Sequence, residues 1–286
     1  MTLFTGITPI HKFNEYYVKR EDLAYWSSLD YPSGSKVRQY WAMASIDVLT
    51  QPTTELWLEK GISPCIVGCS ANSAMQIYVA AAAKRLNTKG IIYTAGRKKR
   101  TDATKYAAEM GAEIVEVKPG YLSLIRARAR ARAIELGDVV KWSPQAAIED
   151  TIKQCENIPE DVKRIIVPTG SGLTAAGVLA GMANRSKKPF IVVVATSTMC
   201  DALSIIKRAR QWGADQGRLE FIPPTSSYND HEVAMLPDGT PLDPYYSSKA
   251  LKYLQPNDLF WPVGLRPIRS MPDDCKEAFK NWKGPK

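Results

Sequence analysis

Short apolar runs and longer stretches with helical periodicity alternate along most of the chain. The apolar runs predict buried strands at Cys65–Gly68, Gly90–Thr94, Ala112–Val117, Arg164–Val167, Pro189–Ala195 and Leu259–Val263. Apolar and small residues at helical spacing predict helices at Ser73–Leu86, Thr101–Met110, Tyr121–Leu136, 173–183 and about 200–212. Gly111 and Gly137 are expected to end two of these helices. This alternation predicts an α/β fold with parallel strands and crossover helices.

Two regions lack the alternation. Residues 1–40 have the pattern of an extended arm with turns, and the Pro-rich, polar segment 222–248 predicts a loop around a cleft. The chain has 286 residues, of which 45% are hydrophobic and 23% charged. This length and composition suit a packed core in one large α/β domain, or two modest domains that share a cleft.

The net charge of +9 favours anionic partners such as phosphates, carboxylates or nucleic acid. No apolar run approaches the roughly 18 residues that span a bilayer, and the amino terminus does not have the pattern of a signal peptide. The cysteines at positions 65, 69, 155, 200 and 275 are expected to be reduced thiols, and neither histidine completes a metal-ligand pattern with them. We therefore expect a cytoplasmic protein without a metal and without a membrane partner.

A glycine loop follows one of the predicted strands. Gly170, Ser171 and Gly172 lie between the strand at Arg164–Val167 and a helix of small residues. Loop amides and the helix dipole form an anion site at such a position, and glycines let the backbone approach a phosphate closely. No lysine follows as a P-loop requires, and the spacing differs from that of dinucleotide-binding loops. The segment is either a phosphate loop or a tight turn without a ligand.

A second strand-to-helix loop contains Ser70 and Asn72. Either residue is suited to cap the following helix. In a functional interpretation, Ser70 lies near a substrate carboxylate and Asn72 beside a cofactor hydroxyl. Loops at the carboxyl ends of parallel strands face a common crevice, so this loop is expected to meet the glycine loop there.

Lys36 lies among Gly34 and two serines, which is unusual for a surface lysine. A catalytic lysine must lose its proton before it attacks an aldehyde, and burial beside a cation such as Arg38 would lower its pKa. Lys19 is the competing lysine of this region. We expect Lys19 to pair with Glu21 or Asp22.

These pieces, in this order, resemble the fold-type II pyridoxal-phosphate enzymes, above all the 1-aminocyclopropane-1-carboxylate deaminases and D-cysteine desulfhydrases. Val18–Leu23 and Ser33–Arg38 are similar to the family's arm and Schiff-base lysine, where Gly-Gly-Asn-Lys-x-Arg is more usual. Ser70–Ser73 is similar to its Ser-Gly-Asn substrate loop, and Thr169–Gly177 to its phosphate loop. Leu242–Ala250 is similar to the segment Leu-Asp-Pro-Val-Tyr-Thr-Gly-Lys-Ala of the deaminases and desulfhydrases.

The resemblance implies two open, mostly parallel sheets flanked by helices, with pyridoxal 5'-phosphate in the cleft between two domains. The smaller α/β domain would consist of residues 45–142. The larger, cofactor-binding domain would consist of residues 1–44 plus 143–286. Relatives of this kind often dimerise, so the resemblance also implies a homodimer.

Carried over by position, the resemblance implies that Lys36 forms the internal aldimine and carries the proton. Asn72 would hydrogen-bond the pyridine hydroxyl. Ser70 and Ser73 belong to the substrate loop, and Ser70 would contact the substrate carboxylate. Tyr246 matches the tyrosine of the family segment and joins Lys36 and Ser70 as a catalytic candidate. The phosphate would be held by Thr169, Gly170, Ser171, Gly172, Leu173 and Thr174.

The segment at residues 262–266 departs from the deaminase pattern at Val263 and contains a further candidate, Arg266. Pro262-Val-Gly-Leu265 occupies the place of the deaminases' His-Thr-Gly-Gly, so Val263 stands where a residue is expected against the ring nitrogen. The Val263 side chain has no hydrogen-bonding group. Arg266 either binds a substrate carboxylate or phosphate by a bidentate contact or forms a surface ion pair. Tyr228, in the loop before it, is expected either to pack or to touch the substrate.

The predicted function is that of a pyridoxal-phosphate-dependent lyase or deaminase, which acts on an amino acid or amine through a stabilised α-carbanion. The basic segment Arg97, Lys98, Lys99, Arg100 and the helix with Arg126, Arg128, Arg130 and Arg132 leave two alternatives open. One is modification, for example decarboxylation, of an amino acid attached to a nucleic-acid base in DNA hypermodification. The other is a basic, nucleic-acid-associated homologue without the cofactor. A solvated arginine surface is the simplest interpretation of these cations.

Overall fold

A computed structural model describes residues 6–24, 32–39, 64–85, 87–137, 144–214 and 218–283 of the chain. The strands are β1 (Ile10–Phe13), β2 (Tyr16–Lys19), β3 (Cys65–Gly68), β4 (Gly90–Ala95), β5 (Glu113–Val117), β6 (Arg164–Thr169), β7 (Phe190–Ala195), β8 (Leu219–Ile222) and β9 (Asp258–Phe260). The helices are α1 (Met75–Arg85), α2 (Asp102–Glu109), α3 (Leu122–Leu136), α4 (Pro144–Gln154), α5 (Leu173–Gly181), α6 (Ala202–Arg210) and α7 (Asp273–Ala278). Residues 35–39 are also helical, and 3-10 turns occur at Glu21–Leu23, Ser247–Tyr253 and Ile268–Ser270.

The strands form two sheets. Six strands pair in the order β1-β2-β9-β6-β7-β8, and three pair in the order β3-β4-β5. Every pairing is parallel except that of β1 with β2. The predicted α/β fold with two open, mostly parallel sheets flanked by helices is thus confirmed.

The three-stranded sheet has a helical layer on each face, because successive side chains of a strand point to opposite sides. Cys65 and Ile92 pack among residues of α1 and α2 on one face. Ile66 and Ile91 pack on the other face against Ala129 and the following buried alanine of α3. These small side chains let α3 approach the sheet closely, and they leave its arginines exposed to solvent.

The six-stranded sheet is built in the same way. Ile165 and Val167 of β6 contact a cluster that contains residues of α4, α5 and α6. Ile166 points to the opposite face and packs with Leu236 and Ala250, from the late loops and the 3-10 turn Ser247–Tyr253. This central position brings the carboxyl end of β6 to the middle of the sheet edge, where the glycine loop follows.

Three elements differ from the sequence expectation. Residues 10–19 form a hairpin that joins the large sheet, rather than an extended arm, because β2 pairs with β9 through Tyr17 and Val18. Helix α4 and strand β8 were not expected at all. The β8 residues that contact the core, Leu219, Phe221 and Ile222, are only half-buried, so this short edge strand gives a weak sequence signal.

The two sheets divide along the line expected for the two domains. Strands β3 to β5 fall in residues 45–142, and the other strands fall in residues 1–44 and 143–286. The proposed boundaries themselves lie outside the described residues, so the domain limits stay a prediction. Among the described helices, none is long and apolar enough to cross a membrane.

Candidate active site

The glycine loop and the Lys36 segment meet at one edge of the large sheet. Strands β6 and β9 are parallel neighbours, and the Trp261 amide donates a hydrogen bond of 3.0 Å to the Ile166 carbonyl. The glycine loop follows β6, and residues 262–265 follow β9. Ligand crevices of open α/β sheets lie at this carboxyl edge.

Lys36 is held at the same edge by the backbone on either side of it. Ser33 and Leu265 exchange two backbone hydrogen bonds of 2.9 and 3.1 Å, and the Ser35 hydroxyl donates to the Val263 carbonyl at 3.1 Å. Gly34 has φ +112°, and a Cβ there would lie 2.3 Å from the Gly264 Cα. Only glycine permits both this conformation and this approach. The helical segment 35–39 therefore starts directly against the end of β9.

The Lys36 amine has an altered acidity. Burial lowers its pKa from the ordinary value to about 8, and the positive charge of Arg126 lowers it further. The expected role of Arg38 here is wrong. The Arg38 guanidinium forms ion pairs of 2.8 Å with both Glu21 and Asp150, so its charge is compensated.

Lys19, the competing lysine, lies in a closed polar site. Its Nζ donates to the Thr8 carbonyl at 2.9 Å, to the Gln154 carbonyl at 2.7 Å and to the Asn157 side-chain oxygen at 2.7 Å. The expected pairing with Glu21 or Asp22 is wrong, since these carboxylates bind arginines. Lys19 has all three ammonium hydrogens in use, so it stabilises the fold.

The glycine loop has the geometry of an anion cradle. Gly172 has φ +78° and donates its amide to the Thr169 hydroxyl at 3.0 Å. Two loop carbonyls are already occupied by hydrogen bonds within the protein. Ser197 donates to the Gly170 carbonyl at 3.1 Å, and Arg208 donates to the Ser171 carbonyl.

Three backbone amides of this segment remain available to a ligand. Within the described ranges, no acceptor lies in hydrogen-bond reach of the backbone amides of Ser171, Leu173 and Thr174. Free amides at the start of α5 add to the positive end of the helix dipole. These residues therefore fit the phosphate of pyridoxal 5'-phosphate.

The Ser70 loop is fixed through its carbonyls. The Gln76 side-chain amide donates to the Ser70 carbonyl at 3.1 Å and to the Ala71 carbonyl at 2.7 Å. The Ser73 hydroxyl accepts the Met75 amide at 3.3 Å, so Ser73 caps α1. The contact of Ser73 with a substrate stays a prediction. The Ser70 side chain interacts with Tyr228 of the late loops.

Two tyrosines connect this loop to the glycine loop. The Ser70 side chain is hydrogen-bonded to Tyr228, and the Tyr246 hydroxyl donates to the Tyr228 hydroxyl at 3.0 Å. The Tyr246 ring lies against Gly170, where an added Cβ would be 2.9 Å from Cε1. Burial, followed by the proximity of Tyr228, raises the pKa of Tyr246 well above its ordinary value, so its phenol stays protonated. The sequence left open whether Tyr228 packs or touches the substrate, and no local sequence pattern indicates its position.

A hydrogen bond between Arg266 and Asn72 connects the loops of the two sheets. The Asn72 side-chain amide donates to the Asn229 side chain at 3.0 Å, and its carbonyl accepts from Arg266 at 3.3 Å. Arg266 pairs with Asp243 at 2.7 Å and its guanidinium lies 4.7 Å from the Tyr245 ring centroid. The ion pair considered at the surface is thus buried, with Arg266 only 1% exposed. Its substrate contact stays a prediction, and its observed contacts position Asn72.

Val263 uses its backbone polar groups within the protein. Its amide donates to the Ser247 hydroxyl at 3.3 Å, and its carbonyl accepts from Ser35. The half-buried isopropyl group is all that remains for a cofactor ring. Val263 itself therefore supplies no hydrogen bond to a ring nitrogen.

His231, Asp274 and Cys275 come together away from Lys36, with potential ligand atoms within 4.8 Å of one another. His231 Nε2 lies 2.9 Å from Asp274 in an ion-pair contact. Burial raises the pKa of the Cys275 thiol to about 12. Three potential ligand atoms, one of them on an exposed carboxylate, do not by themselves assign a metal.

The two-sheet fold and its anion cradle define the class of fold-type II pyridoxal-phosphate enzymes. The family model described as "Pyridoxal-phosphate dependent enzyme" matches residues 1–224. The chain therefore belongs to the pyridoxal-phosphate-dependent enzyme family, and its cofactor is pyridoxal 5'-phosphate. A search of curated proteins found no match.

Solved structures show the same fold at low sequence identity. An ACC deaminase homologue has 19% identity and a TM-score of 0.74, with 98% of this chain and 95% of that chain covered. Diaminopropionate ammonia lyase from Escherichia coli has 14% identity and a TM-score of 0.65, with 96% and 86% covered. O-acetylserine-dependent cystathionine β-synthase from Helicobacter pylori has 14% identity and a TM-score of 0.60, with 95% and 98% covered.

Proposed function

We propose that this pyridoxal-phosphate enzyme acts at the α carbon of an amino acid or amine, by elimination and deamination, with Lys36 as the residue that carries the cofactor. The observation that supports this most is the position of the lysine. Lys36 is fastened to the end of β9, and the free amides of the phosphate loop follow the adjacent strand β6. The neighbours named as a deaminase homologue and an ammonia lyase support the same reaction class.

The cofactor, when bound, withdraws electrons from the substrate's α carbon. The residues of this chain supply binding and proton transfer. With a pKa of about 8, the Lys36 amine has a neutral fraction near neutral pH, so its Nζ is suited to accept and return the α proton. The amides of Ser171 and Thr174 would hold the phosphate, and Asn72 would hydrogen-bond the pyridine hydroxyl.

Ser70, Tyr228 and Tyr246 are proposed to act on the substrate side. The Ser70 hydroxyl contacts the substrate carboxylate, and the tyrosine pair provides a protonated phenol near the phosphate loop. A phenol that stays protonated can donate a hydrogen bond to a leaving group, although its raised pKa makes it a weak acid. Tyr246 is therefore proposed to position the leaving group in the elimination.

The experiment that tests the proposal is to locate the cofactor on the chain. Purified protein is incubated with pyridoxal phosphate, reduced with borohydride and digested, and the labelled peptide is identified by mass spectrometry. We expect the label on Lys36, visible absorbance in the wild type and in Lys84→Ala, and no absorbance in Lys36→Ala. Lys84 is an exposed lysine of α1 and serves as the matched control. A label on Lys19, or a wild type that stays colourless, contradicts the proposal.

As a second function, we propose that the basic surface formed by residues 97–100 and α3 binds nucleic acid. Its support is the exposure of Arg97, Lys98 and Lys99 and of the α3 arginines, together with the charge of +9. Arg100 and Arg132 pair with glutamates and contribute less. This surface would suit modification of an amino acid attached to a DNA base. A gel shift with duplex DNA at low salt tests it, and an unchanged mobility contradicts it.

We also propose a cytoplasmic, homodimeric enzyme. The five cysteines are all buried and free, as is usual in a reducing compartment. Exposed apolar side chains on α3, at Leu124 and Ile134, offer surface for self-association. Light scattering of the purified protein distinguishes a dimer from a monomer.

A further inference from the structure

Arg126 lies where α3 crosses the end of β3. Gly68 is the last residue of β3, and a Cβ there would be 2.8 Å from the Arg126 Cα and 2.9 Å from the Ile125 carbonyl oxygen. Cys69 and Ser70 follow Gly68 directly. The backbone of Arg126 is therefore packed against the start of the loop that contains Ser70. Helix α3 starts after β5 at the carboxyl edge of the small sheet, which places its first turns on the side of the cleft.

The charge of Arg126 acts on two groups at the site. It lowers the pKa of Lys36, and it acts in the same sense on the buried Cys69 thiol. Lys36 belongs to the large-sheet side and Cys69 to the small-sheet side. The charge of Arg126 therefore reaches both sides of the cleft, which agrees with the packing of its backbone against Gly68.

Arg126 has no acidic partner among the residues that the structure describes, whereas two other arginines on this side of the molecule do. Arg132 on the same helix pairs with Glu135 at 2.9 Å, and Arg100 pairs with Glu116 at 2.7 Å. Over the ranges that the structure covers, no carboxylate lies within 4.0 Å of the Arg126 guanidinium. An exposed arginine with free donors next to a binding loop is suited to bidentate recognition of a carboxylate or phosphate.

We propose that Arg126 binds a second anionic group on the substrate, a carboxylate or a phosphate at the end remote from the α carbon. This inference rests on the proposed function, in which the Ser70 loop already holds the α-carboxylate. The substrate is then an acidic or phosphorylated amino acid rather than a neutral one. Arg130, one turn further along α3, extends the positive surface outward from the same side of the helix.

Matched pairs of ligands test the proposal through binding. The holoenzyme is titrated with L-serine against O-phospho-L-serine, and with L-glutamine against L-glutamate, while the absorbance of the bound cofactor is followed. We expect the anionic member of at least one pair to bind about 10-fold to 100-fold more tightly, as for hydrogen bonds to charged groups. The pair that shows the preference distinguishes a phosphate from a carboxylate.

Three variants test whether Arg126 causes the preference for the anionic ligand. Arg126→Gln should bring the two members of the pair to equal affinity, Arg126→Lys should retain part of the difference, and Arg128→Gln should retain all of it. Arg128 is an exposed arginine on another face of the same helix and is the matched control. A change in the acidity of Lys36 affects neutral and anionic ligands alike, so the ratio of their affinities is the quantity that reports on Arg126.

Several results would overturn the inference. They are a wild type without a preference in either pair, an equal loss for neutral and anionic ligands in Arg126→Gln, or the same loss in Arg128→Gln. Each leaves the proposed function intact as long as the protein shows cofactor absorbance. A wild type without that absorbance overturns the proposed function, and this inference with it.

Discussion

Lys19 and Lys36 have similarly lowered pKa values and different charged neighbours. In both, burial is the largest cause of a pKa lowered to about 8. The Nζ of Lys19 is enclosed by three acceptors, and Glu21 favours its charged form. The positive charge of Arg126, by contrast, disfavours the charged form of Lys36. A lowered pKa therefore does not identify a reactive lysine by itself, and the surrounding acceptors and charges separate the structural lysine from the catalytic candidate.

The strongest test of this contrast is Lys36→Met. We expect exchange of the α hydrogen of bound amino acids with deuterium to fall by about 10³-fold or more, because the proton carrier is lost. The free energy of unfolding should change by less than about 1 kcal/mol. NMR in D₂O measures the exchange and urea denaturation the stability. Exchange at the wild-type rate would remove Lys36 from the mechanism.

Lys19→Met should give the reverse result. Loss of the ammonium leaves the carbonyls of Thr8 and Gln154 and the Asn157 oxygen without their buried donor, so the free energy of unfolding should fall by about 3 kcal/mol. Urea denaturation measures the change, with Lys153→Met, at an exposed lysine of α4, as the control. A variant as stable as the control would show that the Lys19 contacts do not stabilise the fold.

Gly34→Ala tests how strictly the Lys36 backbone is positioned. The new Cβ meets the Gly264 Cα at 2.3 Å in a conformation that side chains rarely adopt, so a loss of about 2–3 kcal/mol and weaker cofactor binding are expected. Gly111→Ala shares the positive φ of +95° but meets nothing within 4 Å. It should cost only about 1 kcal/mol and leave binding unchanged. Equal effects of the two substitutions would mean that the contact with Gly264 is unimportant.

The smallest expected effect concerns pH. Only the neutral Lys36 amine reacts with the cofactor aldehyde, so the rate at which the apoprotein takes up pyridoxal phosphate should rise with pH and level off above about 8. Arg126→Gln removes a positive charge, which raises the pKa of Lys36 and moves the profile to higher pH. Stopped-flow absorbance measures the rate. A profile that does not move in the variant contradicts the electrostatic role of Arg126.

Local patterns were sufficient for most of the two sheets. Strands β3 to β7 and the helices α1, α2, α3, α5 and α6 were predicted close to their observed bounds, because hydrophobic periodicity and glycine caps act within each segment. The glycine loop was predicted for the same reason, since a strand, free loop amides and a helix start are all consecutive. The hairpin of β1 and β2 was missed, because its pairing with β9 depends on residues more than two hundred positions away.

The side-chain partners in the site were harder to predict. Arg38 was assigned to Lys36 because the two are close in sequence, whereas Glu21 and Asp150 compensate its charge in the fold. Tyr228 and Arg126 carry no motif that separates them from packing or surface residues. Their positions depend on how the late loops and α3 lie against the cleft.

The sequence by itself determined the α/β class, the anion cradle at 170–174 and the presence of a lysine and an asparagine in the order of the pyridoxal-phosphate enzymes. Those features are local, because they arise from residue spacing and backbone freedom. Only the tertiary structure decided that Lys19 is structural, that Arg266 braces Asn72 and that Arg126 lowers the pKa of Lys36. Such contacts join residues far apart in the chain, and charge, burial and hydrogen bonding act through space rather than along the sequence.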